Sequence, residues 1–273
     1  MRLYALSDLH LGCSENRDIL AQVPARPDDW LIVAGDVGET AHHLRLAFDL
    51  LVPRFRQVLW VPGNHELWTT ARDPAALRGV ARYQALVGLC RSYGVLTPED
   101  DYPVAAFGGR SMRLAPLFLL YDYSFRPPEI PFDQALDWAR ASGIECADEI
   151  LLHPDPYPDR VQWCHARVEE TLARLAAGPA LPTVLINHFP LHPAAARLPL
   201  VPRFSLWCGT LRTADWHLRF GTEVVVYGHL HIRRTHHIDG IRFEEVSLGY
   251  PRQWTGRITP DRLLREILPG PAS

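Results

Sequence analysis

The chain has 273 residues, of which 47% are hydrophobic, and its 28 basic residues nearly balance 31 acidic ones to give a formal net charge of -3. This balance disfavours binding to a nucleic-acid backbone, and the length suffices for a sizeable core in a single domain over residues 1–273. No apolar stretch approaches the roughly 20 residues that span a bilayer, and the N-terminus shows no secretory leader, so we expect a cytoplasmic protein without a membrane partner.

Five short apolar runs predict buried strands, each followed by a polar turn that contains Gly or His. They cover residues 3–6, 30–34, 58–61, 184–186 and 224–227. Between the second and third runs, Ala41–Leu51 has the spacing of an amphipathic helix. Near the C-terminus, Asp239-Gly240 predicts a tight hairpin turn between strands at 235–238 and 241–246. The order of strand, helix and strand predicts a mixed α/β fold.

The middle of the chain differs in character from the two ends. Residues 104–108 and 114–121 are predicted to be strands, and Arg160–Ala177 an amphipathic helix. We interpret residues 110–180 as an insertion that contains a Pro- and aromatic-rich segment. This segment either shapes a substrate pocket or forms a plain surface excursion.

Polar motifs rich in Asp, Asn and His follow the first three strands. Asp8-Leu9-His10 follows the first, Gly35-Asp36 the second, and Gly63-Asn64-His65-Glu66 the third. A two-residue pattern is weak evidence, because Asp215-Trp216-His217 has the same spacing with no strand before it and is expected on a solvated helix face. A specified three-residue word is expected at only about one position in ten thousand, so the third motif is more informative.

Two further motifs, Asn187-His188 and Gly228-His229-Leu230-His231, end the fourth and fifth strands. A lone His is usually a satisfied core or turn residue. Five such motifs in order at strand ends instead favour one shared site, because the carboxyl ends of sheet strands lie near one another. Imidazole and carboxylate ligands favour Mn, Fe, Zn, Ni or Co, and two such ions together can polarise a phosphoryl group.

These five motifs resemble those of the calcineurin-like metallophosphoesterase superfamily, over residues 8–231. The resemblance implies an α/β fold that is a four-layer αββα sandwich, with two mixed β-sheets flanked by helices. It also implies two divalent metal ions that share Asp36. One ion would be bound by Asp8, His10, Asp36 and His231, and the other by Asp36, Asn64, His188 and His229.

The same resemblance implies a metal-dependent phosphoester hydrolase. Its substrate would be a small phosphorylated molecule, either a monoester or a diester, attacked in line by a metal-bridging hydroxide. Asp36 and His65 would be catalytic, with His65 near the leaving oxygen. Glu39 and Glu66 are both candidates to orient that imidazole. The alternatives are a catalytically silent binding module and a nucleotide or nucleic-acid phosphodiesterase.

Three arginines near the later motifs are candidates to bind the substrate phosphate: Arg203, Arg233 and Arg252. A planar guanidinium suits that role, although any single arginine is more often a solvated surface charge. The motifs build the metal site, whereas the loops select the substrate. The sequence therefore leaves the identity of the substrate and the oligomeric state open.

Overall fold

The computed structural model describes residues 1–71 and 75–270, which contain ten β-strands. In chain order they are β1 (Leu3–Leu6), β2 (Arg26–Val33), β3 (Phe55–Trp60), β4 (Val104–Phe107), β5 (Arg110–Pro116), β6 (Thr183–Ile186), β7 (Thr222–Tyr227), β8 (Arg234–Ile238), β9 (Ile241–Glu245) and β10 (Arg265–Leu268). They form a four-stranded sheet in the order β10-β1-β2-β3 and a six-stranded sheet in the order β4-β5-β6-β7-β9-β8.

Both sheets are mixed. In the first, β1, β2 and β3 are parallel and β10 is antiparallel to β1. In the second, β5, β6, β7 and β9 are parallel, while the edge strands β4 and β8 pair antiparallel with their neighbours. The parallel strands of each sheet therefore end at a common edge.

Alternate residues of each central strand face two different hydrophobic cores. In β1, Leu3 and Ala5 belong to the core between the sheets, whereas Tyr4 and Leu6 pack with residues of the helices. Both faces are buried, which explains why the strands appear in the sequence as continuous apolar runs. Two mixed sheets with helices outside them confirm the predicted four-layer sandwich.

The described residues form ten α-helices. They are α1 (Ser14–Ala21), α2 (Ala41–Leu51), α3 (Asn64–Leu67), α4 (Gly79–Ser92), α5 (Ala135–Arg140), α6 (Asp148–Leu151), α7 (Arg160–Ala177), α8 (Trp216–Arg219), α9 (Pro251–Trp254) and α10 (Pro260–Leu263). The predicted bounds of α2 and α7 are confirmed. Each begins after a side chain that caps an amide three residues on, Thr40 for α2 and Asp159 for α7. Within the described ranges, no helix is both long and apolar enough to cross a membrane.

Two predicted elements differ from the structure. The strand expected at 114–121 is instead β5, because the chain leaves the sheet after Pro116 and the Leu119 amide donates to the side chain of Asn187. The helix around Asp215-Trp216-His217 is only one turn, and His217 is buried against Asp239, 2.9 Å away, so the expected solvated face is wrong. The hairpin turn is confirmed, with positive φ at both of its central residues.

Candidate metal centre

The predicted metal ligands and His65 all follow the carboxyl ends of parallel strands. They are Asp8 and His10 after β1, Asp36 after β2, Asn64 and His65 after β3, His188 after β6, and His229 and His231 after β7. Because the two sheets bring these strand ends together, side chains up to 223 positions apart in sequence come into contact.

The backbone turns sharply where it presents these ligands. Five of them have φ angles between 40° and 73°: Asp8, His10, Asp36, His229 and His231. This left-handed region is strained for residues other than Gly, and such strain is concentrated at functional sites. A Cβ on Gly63 or Gly228 would collide with the carboxylate of Asp36 or Asp8, respectively. These close approaches explain the glycine that opens each of the two motifs.

Asp8, His10 and His231 form the first cluster of ligand atoms. The His231 Nε2 atom lies 3.0 Å from Asp8 Oδ1 and 3.0 Å from His10 Nε2. Asp8 is fully buried and His10 is 2% exposed. Two imidazole nitrogens and a carboxylate oxygen converging at these distances form a donor set that suits a first-row divalent cation.

Asp36, His188 and His229 form the second cluster, with Asn64 beside it. The His188 Nε2 atom lies 3.5 Å from Asp36 Oδ2 and 3.3 Å from Asn64 Oδ1. The Nε2 atom of His229 is buried and has no hydrogen-bond partner among the residues described. A buried polar atom without a partner is costly, so this nitrogen fits the role of a metal ligand.

Asp36 belongs to two groups of ligand atoms. It lies within 4.8 Å of ligand atoms of His188 and His229 in one group, and of His10 and His65 in the other. The Asp36 side chain is buried, with only 2% of the residue exposed. This position fits a carboxylate that two adjacent cations share.

Outer hydrogen bonds orient the ligands. The Asp8 carboxylate accepts hydrogen bonds from the Ser7 and Ser247 hydroxyls. The Nδ1 atom of His188 lies 2.9 Å from the Ala34 carbonyl oxygen, which leaves Nε2 facing the cluster. Partners of this kind fix the tautomer and the orientation of a metal-bound imidazole.

The structure separates the roles of the two glutamates near His65. The Nδ1 atom of His65 lies 3.3 Å from Glu39 Oε1, and its Nε2 atom lies 3.8 Å from Asp36 Oδ2. The Glu66 carboxylate instead accepts hydrogen bonds from the backbone amides of Asp36, Val37 and Gly63. Glu39 therefore orients the imidazole, and Glu66 holds the two loops that carry Asp36 and His65.

Burial and the carboxylates act in opposite directions on the histidines. Burial lowers the pKa of His229 to about 3 and that of His10 to about 4. For His188, burial also acts to lower the pKa, but the charge of Asp36, the hydrogen bond to that carboxylate and the charge of Asp8 together outweigh burial and raise the pKa to about 10. For His65, the charge of Asp36 and the hydrogen bond to Glu39, with smaller contributions from other carboxylates, likewise outweigh burial and raise the pKa to about 9. The carboxylates thus favour positive charge in the cluster, and protons compete with metal ions for these nitrogens.

A cleft of about 390 Å³ opens onto the two clusters. Its floor contains Asp36, Asn64, His65, His229 and His231. Its walls include Trp68, Leu198, Val201, Phe204 and Tyr250, together with residues 145–147. The arrangement can hold a charged group on the floor and an apolar group along the wall.

Of the three candidate arginines, the structure brings only Arg252 to this cleft. The Arg203 guanidinium stacks over Trp138, 4.7 Å from the ring centre, and donates to the carbonyl of that residue. The Arg233 guanidinium donates to four backbone carbonyls, at residues 246, 247, 262 and 263. The guanidinium groups of Arg203 and Arg233 thus contact these partners and do not line the cleft, and the expectation that they bind substrate stays a prediction.

Sequence reasoning missed three residues that contact the cluster. Asp148 belongs to no motif, yet its carboxylate accepts a hydrogen bond from the Asn64 amide at 2.9 Å. Gln253 Oε1 lies 2.9 Å from His231 Nδ1, and the Tyr250 ring stacks on His10 at 4.4 Å. In the short segment Gly249-Tyr250-Pro251-Arg252 only the arginine is a candidate from the sequence, and no spacing rule points to its neighbours.

Comparisons with known proteins agree with this geometry. A family model described as calcineurin-like phosphoesterase matches residues 1–233. The acyl-carrier-protein phosphodiesterase PptH of Mycobacterium tuberculosis is 51% identical over 272 residues, which cover 98% of this chain and 84% of that protein. The crystal structure of phosphopantetheinyl hydrolase (PptH) from M. tuberculosis has a TM-score of 0.94 and 51% identity, and the match covers 99% of this chain and 96% of that one.

The family match includes every motif described above. The 51% identity to a phosphodiesterase, the family match and the clustered Asp and His ligands support a hydrolase over the alternative of a silent binding module. The chain belongs to the calcineurin-like phosphoesterase family, and it is a metal-dependent phosphoester hydrolase.

Proposed function

We propose that this enzyme hydrolyses the phosphodiester that joins a phosphopantetheinyl group to an acyl carrier protein. The observation that carries the proposal is the 51% identity, over 98% of the chain, to a protein named acyl-carrier-protein phosphodiesterase. The TM-score of 0.94 to phosphopantetheinyl hydrolase adds support, because loops that select substrates are included in that match. The substrate proposed here is thus a modified protein, and not the free small molecule expected from the sequence.

We further propose that two divalent ions, with manganese as the first choice, bind at the two clusters. One would be held by Asp8, His10, Asp36 and His231, and the other by Asp36, Asn64, His188 and His229. The converging ligand atoms and the partnerless Nε2 of His229 support this assignment. When bound, such ions polarise the phosphoryl group and lower the pKa of water.

The side chains of the site supply the remaining chemistry. In the proposed reaction the oxygen of water bonds to phosphorus and loses a proton to the solvent, and the bond from phosphorus to the carrier oxygen breaks. We assign His65 to donate a proton from Nε2 to that leaving oxygen, while Glu39 accepts a hydrogen bond from Nδ1. The products are the unmodified carrier hydroxyl and a phosphomonoester that carries the pantetheine arm.

The cleft has the polarity that such a substrate needs. A pantetheine arm is long, partly apolar and flexible, and the wall formed by Leu198, Val201 and Phe204 offers apolar contact. Residues 145–147 complete that wall, and we propose that the inserted segment at 110–180 shapes the pocket. Arg252 is exposed at the cleft, where its guanidinium can pair with a phosphate oxygen.

We also propose that the enzyme acts in the cytoplasm. All five cysteines are free thiols in the structure. Free thiols are typical of a reducing compartment, which supports the location.

The direct test uses a purified acyl carrier protein that bears the phosphopantetheinyl group. With Mn²⁺ and catalytic amounts of enzyme, intact-mass spectrometry should show loss of the whole group and accumulation of the unmodified carrier. The control is bis(p-nitrophenyl) phosphate, which reports the metal centre with no requirement for a carrier. Hydrolysis of the control compound with no change in the carrier would reject the carrier protein as substrate and leave a small phosphodiester as substrate.

The same assay tests whether Arg252 contributes to substrate binding. We expect Arg252→Ala to raise the KM for the carrier about tenfold, the effect of losing one charged hydrogen bond, and to change kcat little. Arg203→Ala removes an arginine of the same chain whose donors point away from the cleft, and it is the matched control. Equal KM values for the two variants would exclude Arg252 from substrate binding.

A further inference from the structure

Asp148 is a buried carboxylate beside the metal centre that lies outside the five motifs. We propose that Asp148 is a positioning residue that turns the Asn64 amide so that its oxygen, and not its nitrogen, faces the metal. The inference rests on the proposed role of Asn64 as a metal ligand. It assigns a part in metal binding to the inserted segment, through the first residue of α6.

The contacts of Asp148 define its orientation. The residue is fully buried, and its Oδ1 atom accepts hydrogen bonds from Asn64 Nδ2 at 2.9 Å and from Trp68 Nε1 at 2.6 Å. Its Oδ2 atom accepts a hydrogen bond from the Tyr121 hydroxyl at 3.0 Å. Burying a carboxylate is costly unless donors surround it, and the two donors to Oδ1 fix the oxygen that faces Asn64.

This arrangement selects one of the two orientations of the Asn64 amide. An amide has an acceptor oxygen on one side and a donor nitrogen on the other, and the Asp148 Oδ1 atom that faces it accepts hydrogen bonds from both Asn64 Nδ2 and Trp68 Nε1. The Asn64 nitrogen therefore stays on the Asp148 side, and Oδ1 lies on the opposite side, 3.3 Å from His188 Nε2. Since the amide oxygen is the atom that binds a divalent cation, the carboxylate determines whether Asn64 can be a ligand.

The same Oδ1 atom of Asp148 also accepts a hydrogen bond from the indole of Trp68, whose ring packs against His65. The Trp68 ring lies 3.7 Å from the His65 ring, at an interplanar angle of 31°. Asp148 is thus hydrogen-bonded to Asn64, a candidate metal ligand, and to Trp68, which packs against the proposed general acid His65. Through these two contacts, the inserted segment is connected both to the proposed metal site and to the proposed proton donor.

The test measures metal binding directly. Metal-free wild-type protein is titrated with Mn²⁺ by calorimetry, and bound ions are counted by elemental analysis. We expect two ions per wild-type chain, and Asp148→Ala should weaken the binding of one ion by about 10–100-fold, the effect usual for losing a partner of a metal ligand. Tyr121→Phe removes only the contact to Oδ2 and is the matched control, with binding of both ions expected to match wild type.

A second substitution distinguishes positioning from a merely structural role. A carboxylate at position 64 presents oxygen in either orientation, so adding Asn64→Asp to Asp148→Ala should restore the lost affinity. In the wild-type background, Asn64→Asp places two carboxylates against each other and should weaken binding. This opposite response to the same change is the signature of coupled side chains.

The outcomes separate this inference from the proposal on which it rests. A wild-type chain that binds fewer than two ions overturns both the metal assignment and the role of Asp148. Two ions in wild type and in Asp148→Ala with unchanged affinity overturn the role of Asp148 alone. If Asp148→Ala does not fold, the Mn²⁺ affinity of the Asn64→Asp variant alone tests the inference. Tighter Mn²⁺ binding than in wild type would contradict positioning by Asp148. None of these readouts depends on carrier hydrolysis.

Discussion

Asp36→Asn is expected to lower kcat on any phosphodiester by about 10³-fold or more, because losing the charge that we propose two ions share would cost several kcal/mol of transition-state stabilisation. Asp36 is the ligand common to two groups of donor atoms, and its Oδ2 lies 3.5 Å from His188 and 3.8 Å from His65. An amide at this position is neutral and offers one oxygen in place of two. The loss should therefore appear in metal content as well as in turnover.

The Asn substitution is chosen so that the fold survives. Asp36 has φ 53°, a value that Asn tolerates better than most residues, whereas Ala would add backbone strain. Elemental analysis, turnover of bis(p-nitrophenyl) phosphate and thermal unfolding of the metal-free protein should be measured together. Turnover within tenfold of wild type, with both ions retained, would be incompatible with a bridging role for Asp36.

The second large effect concerns His65. Substitution by Ala should slow hydrolysis of the carrier phosphodiester by about 10²–10⁴-fold, the usual contribution of a general acid, because the leaving alkoxide needs a proton. Hydrolysis of bis(p-nitrophenyl) phosphate should fall far less, since its phenolate leaves without one. The ratio of the two losses measures proton donation independently of any general damage to the site.

His43 provides the matched control for His65. His43 contacts the same glutamate as His65, with its Nδ1 atom 3.5 Å from Glu39 Oε2. Among the described residues, however, it belongs to none of the groups of candidate metal ligands. His43→Ala should retain activity on both substrates. Equal losses on both substrates in His65→Ala would show that His65 supports the structure of the site and does not donate a proton.

The sequence predicted which candidate ligands come together, because each one follows a strand that is itself easy to recognise. The run Val224, Val225 and Val226 is buried on both faces of its sheet, which indicates a central strand. Gly228 and two histidines follow it directly, so the polar residues lie at the carboxyl end of that strand, where ligands gather. The resemblance to a known family then supplied the sandwich and the sharing of Asp36.

What the sequence did not predict depends on contacts between distant residues. Glu39 and Glu66 are equivalent candidates until the fold shows that Glu66 binds backbone amides. Arg233 follows a motif, yet its side chain turns to backbone carbonyls. Asp148 lies 84 positions from Asn64 in a segment without periodic signal, so only the tertiary structure reveals their hydrogen bond.

The most direct test of the metal centre is anomalous X-ray diffraction from crystals of the wild-type enzyme grown with Mn²⁺. We predict two anomalous peaks that both contact the Asp36 carboxylate, one beside His10 and His231 and the other beside His188 and His229. A single peak, or peaks away from Asp36, would contradict the dinuclear assignment and the mechanism built on it.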